Sequence, residues 1–181
     1  MFDEKIGRTC AFNICSLCKL NCCIDANPPL TISRKKMIIN FLTEHNLPTD
    51  NIFVNSSYSH PAADATAMCV FRDKETGKCR IHPVKPETCR AGPVTFDINL
   101  RTGKVEWYLK KDTICALAQQ LHGDNGRFVK HFEVAKEELL HLIRELEPDA
   151  LRAILRIPEP ETFKIGEYDL PAEITEKLND K

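Results

Sequence analysis

Cysteine is the residue type most able to do chemistry in this chain, and it occurs nine times: Cys10, Cys15, Cys18, Cys22, Cys23, Cys69, Cys79, Cys89 and Cys115. Four of these crowd into CSLCKLNCC, residues 15–23. Such thiols can be disulfide halves, nucleophiles or metal ligands. An odd number argues against a complete disulfide framework. The adjacent pair Cys22 and Cys23 is poorly suited to bridging itself, because the geometry is strained. A single nucleophile accounts for one cysteine and not for a cluster. Soft thiolate ligation of zinc or iron accounts for many at once. Redox disulfide chemistry and inert buried thiols are the competing readings.

The thiols fall into two blocks. The first is C-x2-C-x3-C-C at Cys15, Cys18, Cys22 and Cys23. A spacing of two residues lets a tight turn bring both sulfurs onto one metal. If the backbone is extended at the adjacent pair, Cys22 and Cys23 point to opposite sides and serve two metals, or two irons, more easily than one. The second block is CVFRDKETGKCRIHPVKPETCRAGP, residues 69–93. Cys69 and Cys79 sit at matching ends of a predicted hairpin, so their sulfurs can converge. Cys89 follows in a proline-rich loop, and Cys115 lies on the next helix. Eight thiolates arranged four and four suit two four-ligand centres, or one larger cluster and a zinc.

Other chemistry fits the spacing less well. Cys10, Cys15 and Cys18 read C-x4-C-x2-C, one residue longer than the C-x3-C-x2-C of radical enzymes that cleave adenosylmethionine. There is no G-x-G-x-x-G or Walker loop. The C-x-x-C at Cys15 and Cys18 lacks the strand and helix of a thioredoxin-like redox site. His82, three residues after Cys79, has a permissible zinc spacing, although packing or a hydrogen bond beside the metal is the plainer role. His122, His131 and His141 fall on helical segments and read as surface residues. Arg90 directly follows Cys89. It can moderate the charge of a thiolate cluster and raise a reduction potential, or form an ordinary surface salt bridge.

The elements that must position these residues come next. The chain has 181 residues, 43% hydrophobic and 28% charged. That is enough apolar material for a core without disulfides. The formal net charge of −1 gives no reason to expect nucleic acid or an anionic membrane as partner. SRKK at 33–36 reads as the solvated start of a helix. There is no apolar run of 18 residues and no signal-peptide pattern at the start, so the expected setting is the cytoplasm, where thiols stay reduced.

A helix is expected over 33–46 with Ser33 as N-cap and Met37, Ile38, Phe41 and Leu42 as its apolar stripe. A strand is expected at NIFVN (51–55), with loop around His60 and Pro61. Hairpins are expected at 67–82, turning near Gly77, and at 94–110, turning at RTGK. Beyond them the chain reads as helical. Asp112 can cap a helix over TICALAQQL, and Gly123 and Gly126 break it. A long helix over 127–147 carries Phe128, Phe132, Ala135, Leu139, Leu142 and Leu146 on one face, and DALRAILRI forms a short one. After Pro158 the chain turns acidic and proline-punctuated, with a last helix in PAEITEKL. The expected fold is α+β: small hairpins and cysteine-rich loops around a metal or cluster site, packed against a helical C-terminal half. Residues 1–121 form the cysteine-cluster region and 122–181 the helical region, both within one domain.

The two blocks resemble the YkgJ-type cysteine-cluster proteins, a family associated with zinc or iron chelation. The leading pattern falls on Cys15, Cys18, Cys22 and Cys23. The hairpin pattern falls on Cys69, Phe71, Gly77, Cys79, Ile81 and His82. The following loop pattern falls on Lys85, Pro86, Cys89, Arg90 and Pro93, and the final cysteine is Cys115. The first block departs from the family in having three residues before its C-C pair and no glycine there. Lys85 stands where arginine is common, and Cys10 lies outside the pattern. The resemblance implies metal or iron–sulfur binding, with no reaction common to the family. The flagellin lysine methylases carry a similar cluster, which raises an accessory or catalytic role in protein methylation.

The ligand set expected is Cys15, Cys18, Cys22, Cys23, Cys69, Cys79, Cys89 and Cys115, with His82, Arg90 and Cys10 as supporting or substitute groups. The cofactor expected is an iron–sulfur cluster, 4Fe–4S favoured, with zinc as the alternative. An iron–sulfur centre implies electron transfer, metal or cluster handling, or sensing, with a protein partner in redox or metal transfer. Zinc implies a structural or interaction module. No hydrolytic constellation is present, and no enzyme activity is assigned.

Overall fold

The computed structural model describes residue 14 and residues 22–159 and 161–179. In chain order the elements are α1 (Ile32–Glu44), β1 (Phe53–Asn55), β2 (Ser59–Pro61), a 3-10 turn (His82–Val84), α2 (Glu87–Ala91), β3 (Val94–Asn99) and β4 (Lys104–Lys110). They continue with α3 (Ala116–His122), α4 (Asn125–Glu145), α5 (Pro148–Ile154), β5 (Thr162–Asp169) and α6 (Ala172–Asn179). The fold is α+β. No helix among the described residues is long and apolar enough to cross a membrane.

One core lies between a three-stranded antiparallel sheet, ordered β3-β4-β5, and the long helix α4. Strict alternation on β4 buries Val105, Trp107 and Leu109 and turns Glu106 and Tyr108 outward. The β3-β4 register runs from Val94↔Leu109 to Asn99↔Lys104. Its turn closes where Gly103 takes φ +64, a conformation open to glycine. Helix α4 starts at Asp124, whose carboxylate accepts the Arg127 amide at 3.0 Å. It lays Ala135, Leu139, Leu142 and Ile143 against the sheet. Trp107, wholly buried, meets the Phe132 ring edge-on at 6.1 Å, and Phe132 stacks on Phe128 at 5.7 Å.

A second core gathers Leu30, Ile38, Leu42, Ile52, Phe71 and Ile81, with Cys69 and Cys79 packed against it. Helix α1 supplies Ile38 and Leu42. Its N-cap is Thr31, whose hydroxyl accepts the Arg34 amide at 3.0 Å, not Ser33; both carry the hydroxyl a cap needs, and the chain bends two residues earlier than expected. Met37 of the predicted stripe is exposed.

Several other expectations are corrected. His60 and Pro61 are not loop but strand β2, paired with β1. Asp112 does not cap α3; the N-cap position is held by Cys115. Gly126 lies within the first turn of α4, so only Gly123 separates the two helices. The stretch after Pro158 holds β5, which pairs with β4 from Lys104↔Asp169 to Lys110↔Thr162. The last third is therefore not purely helical.

His131 is also not a surface residue. It is 8% exposed, and its Nε2 donates to the Ala91 carbonyl at 3.0 Å. Burial pushes its pKa down, against the smaller opposite effect of that hydrogen bond. A histidine kept neutral in the fold but free to protonate when unfolded supports stability above its unfolded pKa of about 6.5 and withdraws it as pH falls below that value. Thermal melts between pH 7.5 and 5 should show this decline, to which His82 adds in the same direction, and His131→Gln should make it shallower. Parallel slopes for the two proteins would remove His131 as its source.

Candidate metal centre

The two cysteine blocks are joined through the backbone. Residues 23–25 run antiparallel to 67–69: the Cys69 amide donates to the Cys23 carbonyl at 2.9 Å, and the Asp25 amide to the Ala67 carbonyl at 2.9 Å. Ile24 and Met68 form the bridge between them. Cys10, Cys15 and Cys18 lie outside the described residues.

The predicted hairpin at 67–82 is a turn-rich loop with one bridge, Arg72↔Cys79, in place of regular strands. Its turn is built by side chains. The Asp73 carboxylate accepts both the amide and the hydroxyl of Thr76 at 2.7 Å, and Gly77 takes φ +69. Local side-chain to backbone bonds of this kind compete with a strand ladder. The loop still returns Cys79 towards Cys69, and both are half-buried. Cys89 sits on the outer face of the short helix α2 and is exposed. Cys115 and Ile14, the residue before Cys15, both pack against Leu117 and Leu121.

Cys23 feels the charge of Cys22, Cys69 and Cys89, and Cys89 that of Cys22, Cys69 and Cys79, which puts the five thiols in one neighbourhood. Cys22 and Cys23 lie in a turn and their thiols are hydrogen-bonded. The pair is not extended, and its sulfurs do not point to opposite sides. That hydrogen bond brings the Cys22 thiol down to about 6, opposed by the protein packed around it and aided by Lys110, Lys85 and Arg72. Cys23 is pushed up, first because its proton is engaged by Cys22, then by burial and by neighbouring thiols. Dense surroundings push Cys89 up, opposed by Lys85 and reinforced by Cys79, Cys22 and Cys69. Burial likewise raises Cys69. One thiolate is favoured here, and further ones repel it. A bound cation removes that conflict, so the donor set fits a thiophilic metal. Among the described residues no three Cys, His, Asp or Glu side chains are already set as a metal cage.

His82 opens the 3-10 turn, its amide donating to the Cys79 carbonyl at 3.2 Å. Burial, with Lys85 and Arg90 adding to it, lowers its pKa to about 4, so the imidazole is neutral at physiological pH. Arg90 forms no surface salt bridge. Its Nε lies 2.5 Å from Glu138 Oε1 with the side chain mostly buried, and its Nη1 donates to the Pro83 carbonyl at 2.9 Å. Arg34, expected in a solvated cluster, is 6% exposed and reaches Glu138 Oε2 at 2.6 Å. The sequence reading missed the support behind Cys89 (Thr31, Arg34, Glu87 and Glu138) and the cations Arg72 and Lys110 near Cys22. A signal was available for one of them: Glu87 sits between Pro86 and Cys89, where a charge has to find a partner if the loop is packed.

The chain was compared with known proteins. Residues 14–121 match the CxxCxxCC family, described as "Putative zinc- or iron-chelating domain". A curated relative, "Uncharacterized protein MJ0661" of Methanocaldococcus jannaschii, is 28% identical over 102 residues, 51% of this chain and 53% of that protein. The chain thus spans about half the length of this relative. No solved structure matches. The family match covers more than half of the chain and takes in every cysteine from Cys15 to Cys115, and metal binding is the property it supports; the chain belongs to the CxxCxxCC family of zinc- or iron-chelating domains.

Proposed function

We propose that this protein holds an iron–sulfur centre, 4Fe–4S favoured, bound by thiolates drawn from Cys15, Cys18, Cys22, Cys23, Cys69, Cys79, Cys89 and Cys115. The reading is carried by the gathering of five described thiols (Cys22, Cys23, Cys69, Cys79 and Cys89) at one locus. One tetrahedral zinc uses four ligands. A 4Fe–4S cluster also takes four thiolates, so the number alone does not choose; the adjacent pair Cys22 and Cys23 and the spread of the ligands from Cys15 to Cys115 suit a cluster pocket better than a compact zinc ribbon. Bound iron and sulfide would supply one-electron chemistry or a transferable cluster. The chain's own part is to supply thiolates and to keep nearby cations, Lys85, Lys110 and Arg72, where they offset negative charge. The exposure of Cys22 and Cys89 favours handling of a metal or cluster at the surface, with a protein partner that gives or receives it.

Purification without oxygen tests the reading. The expected product is brown, absorbs near 400 nm, and contains iron and acid-labile sulfide in comparable amounts. Colourless protein carrying stoichiometric zinc would replace the cluster by a zinc-bound interaction module.

A further inference from the structure

We infer that a buried chain of alternating charges, Glu87–Arg34–Glu138–Arg90, is a clamp that positions Cys89 and sets the affinity of the centre; the inference rests on the metal-binding reading above. Glu87 has no solvent exposure. Its Oε1 accepts the Thr31 hydroxyl at 2.6 Å and lies 3.5 Å from Arg34 Nε. Arg34 Nη2 meets Glu138 Oε2 at 2.6 Å, and Arg90 Nε meets the other oxygen of the same carboxylate at 2.5 Å. One carboxylate of α4 thus ties the guanidinium of α1 to that of α2. Two positive and two negative groups balance.

Cys89 lies between Glu87 and Arg90 in sequence. Helical spacing turns residues 87, 90 and 91 towards α1 and α4 and leaves Cys89 outward, and burial follows that division. Helix α2 has five residues and no side-chain N-cap bond. A helix that short does not hold its own shape. The direction of the Cys89 side chain is therefore set from behind, by the charge chain and by the His131 bond to the Ala91 carbonyl. Buried ion pairs are seldom retained for net stability, since well-packed apolar groups often serve as well. Here the return is geometric: a ligand on a helix too short to hold its own shape is fixed by two longer helices, α1 and α4. Arg34, Glu87, Glu138 and Arg90 are positioning residues that act through Cys89.

Cobalt(II), whose thiolate complexes absorb strongly, is the probe. Metal-free wild-type protein, Glu138→Gln and Arg90→Lys are titrated with cobalt(II) in competition with a chelator, and their melting is recorded without metal. Both variants should bind with affinity about 10- to 100-fold lower than wild type, as expected for groups that orient ligands. Their thiolate-to-cobalt absorbance per cobalt should fall, because one sulfur is no longer held in place. Lys164→Met, on the outer face of the sheet, should change neither. Affinities and spectra matching wild type overturn the clamp. A loss that only follows the loss of metal-free stability, with an unaltered spectrum, also overturns it, because the network would then be structural. If Glu138→Gln does not fold, Arg90→Lys, which keeps the charge and shortens the donor set, decides. Wild-type protein that takes up neither cobalt, nor zinc, nor iron and sulfide on reconstitution overturns the metal reading itself, a result distinguishable from equal uptake by all variants.

Discussion

Cys89→Ser should lose most of its metal, while Cys10→Ser loads like the unaltered protein. Cys89 shares its locus with Cys22, Cys69 and Cys79. Serine keeps the size of the side chain but replaces a soft thiolate by a hydroxyl that does not ionise at neutral pH. The affinity lost should exceed the about 10- to 100-fold expected when only an orienting group is altered. Cys10 stands outside the two-block pattern. Iron, sulfide and zinc measured per chain on both proteins settle the matter. Equal loss from the two would make Cys10 a ligand and end the four-and-four assignment.

Removing the metal should loosen residues 22–25 and 67–69 while α2, held from behind by α1 and α4, α4 and the sheet stay protected from hydrogen exchange. The core of β3, β4, β5 and α4 is closed by Trp107, Leu139, Leu142 and Ile143, all fully buried, and none of these needs a sulfur. The cysteine locus instead abuts the smaller core around Phe71 and Ile81. Metal bonds form only in the folded state, so their free energy is felt where the ligands are. Leu139→Ala supplies the converse. Truncating that side chain should cost about 2–5 kcal/mol, out of a total of about 5–15 kcal/mol for a domain, and should lower protection throughout the sheet and α4 whether or not metal is bound. Exchange measured on loaded, chelated and Leu139→Ala protein separates the two cases. Uniform loss of protection on chelation would make the metal a structural element of the whole domain, and metal handling by local opening would lose its basis.

The parts of the fold visible in the sequence are those where one physical rule acts alone. Alternation on β4 is unbroken, and RTGK marks its turn, so the 94–110 hairpin is legible. The stripe on α4 repeats at helical spacing for five turns, and its ends shift by only two residues. Strand β5 is different. It lies on one edge of the sheet, mostly exposed, with Gly166 and the charged Lys164, Glu167 and Asp169 interrupting any alternation, so only its pairing with β4 reveals it. Arg34 and His131 were misjudged for a related reason. Polar residues are usually solvated, and these two are buried only because partners more than 35 residues away, Glu138 and the Ala91 carbonyl, receive their donors. The candidate site was legible as a set of cysteines because the residue type announces its chemistry. Its support was not, because a carboxylate beside a proline looks the same whether it faces water or a guanidinium.

The antiparallel seam between residues 23–25 and 67–69 has a consequence for synthesis. At about 5–20 residues per second, Cys22 and Cys23 leave the ribosome several seconds before Cys89, the partner to which they are electrostatically linked. During that interval the nascent segment presents adjacent thiols with nothing to seal them, and adventitious metal or oxidant can reach them first. Once residues 67–69 emerge they can zip onto 23–25 and fix the backbone at Cys23 beside the second block, before α4 has been made. The seam can thus follow the Leu30–Ser59 backbone contact and precede the sheet. Pulling on stalled nascent chains of increasing length should register its formation as an early release of tension, ahead of the one that marks closure of the sheet.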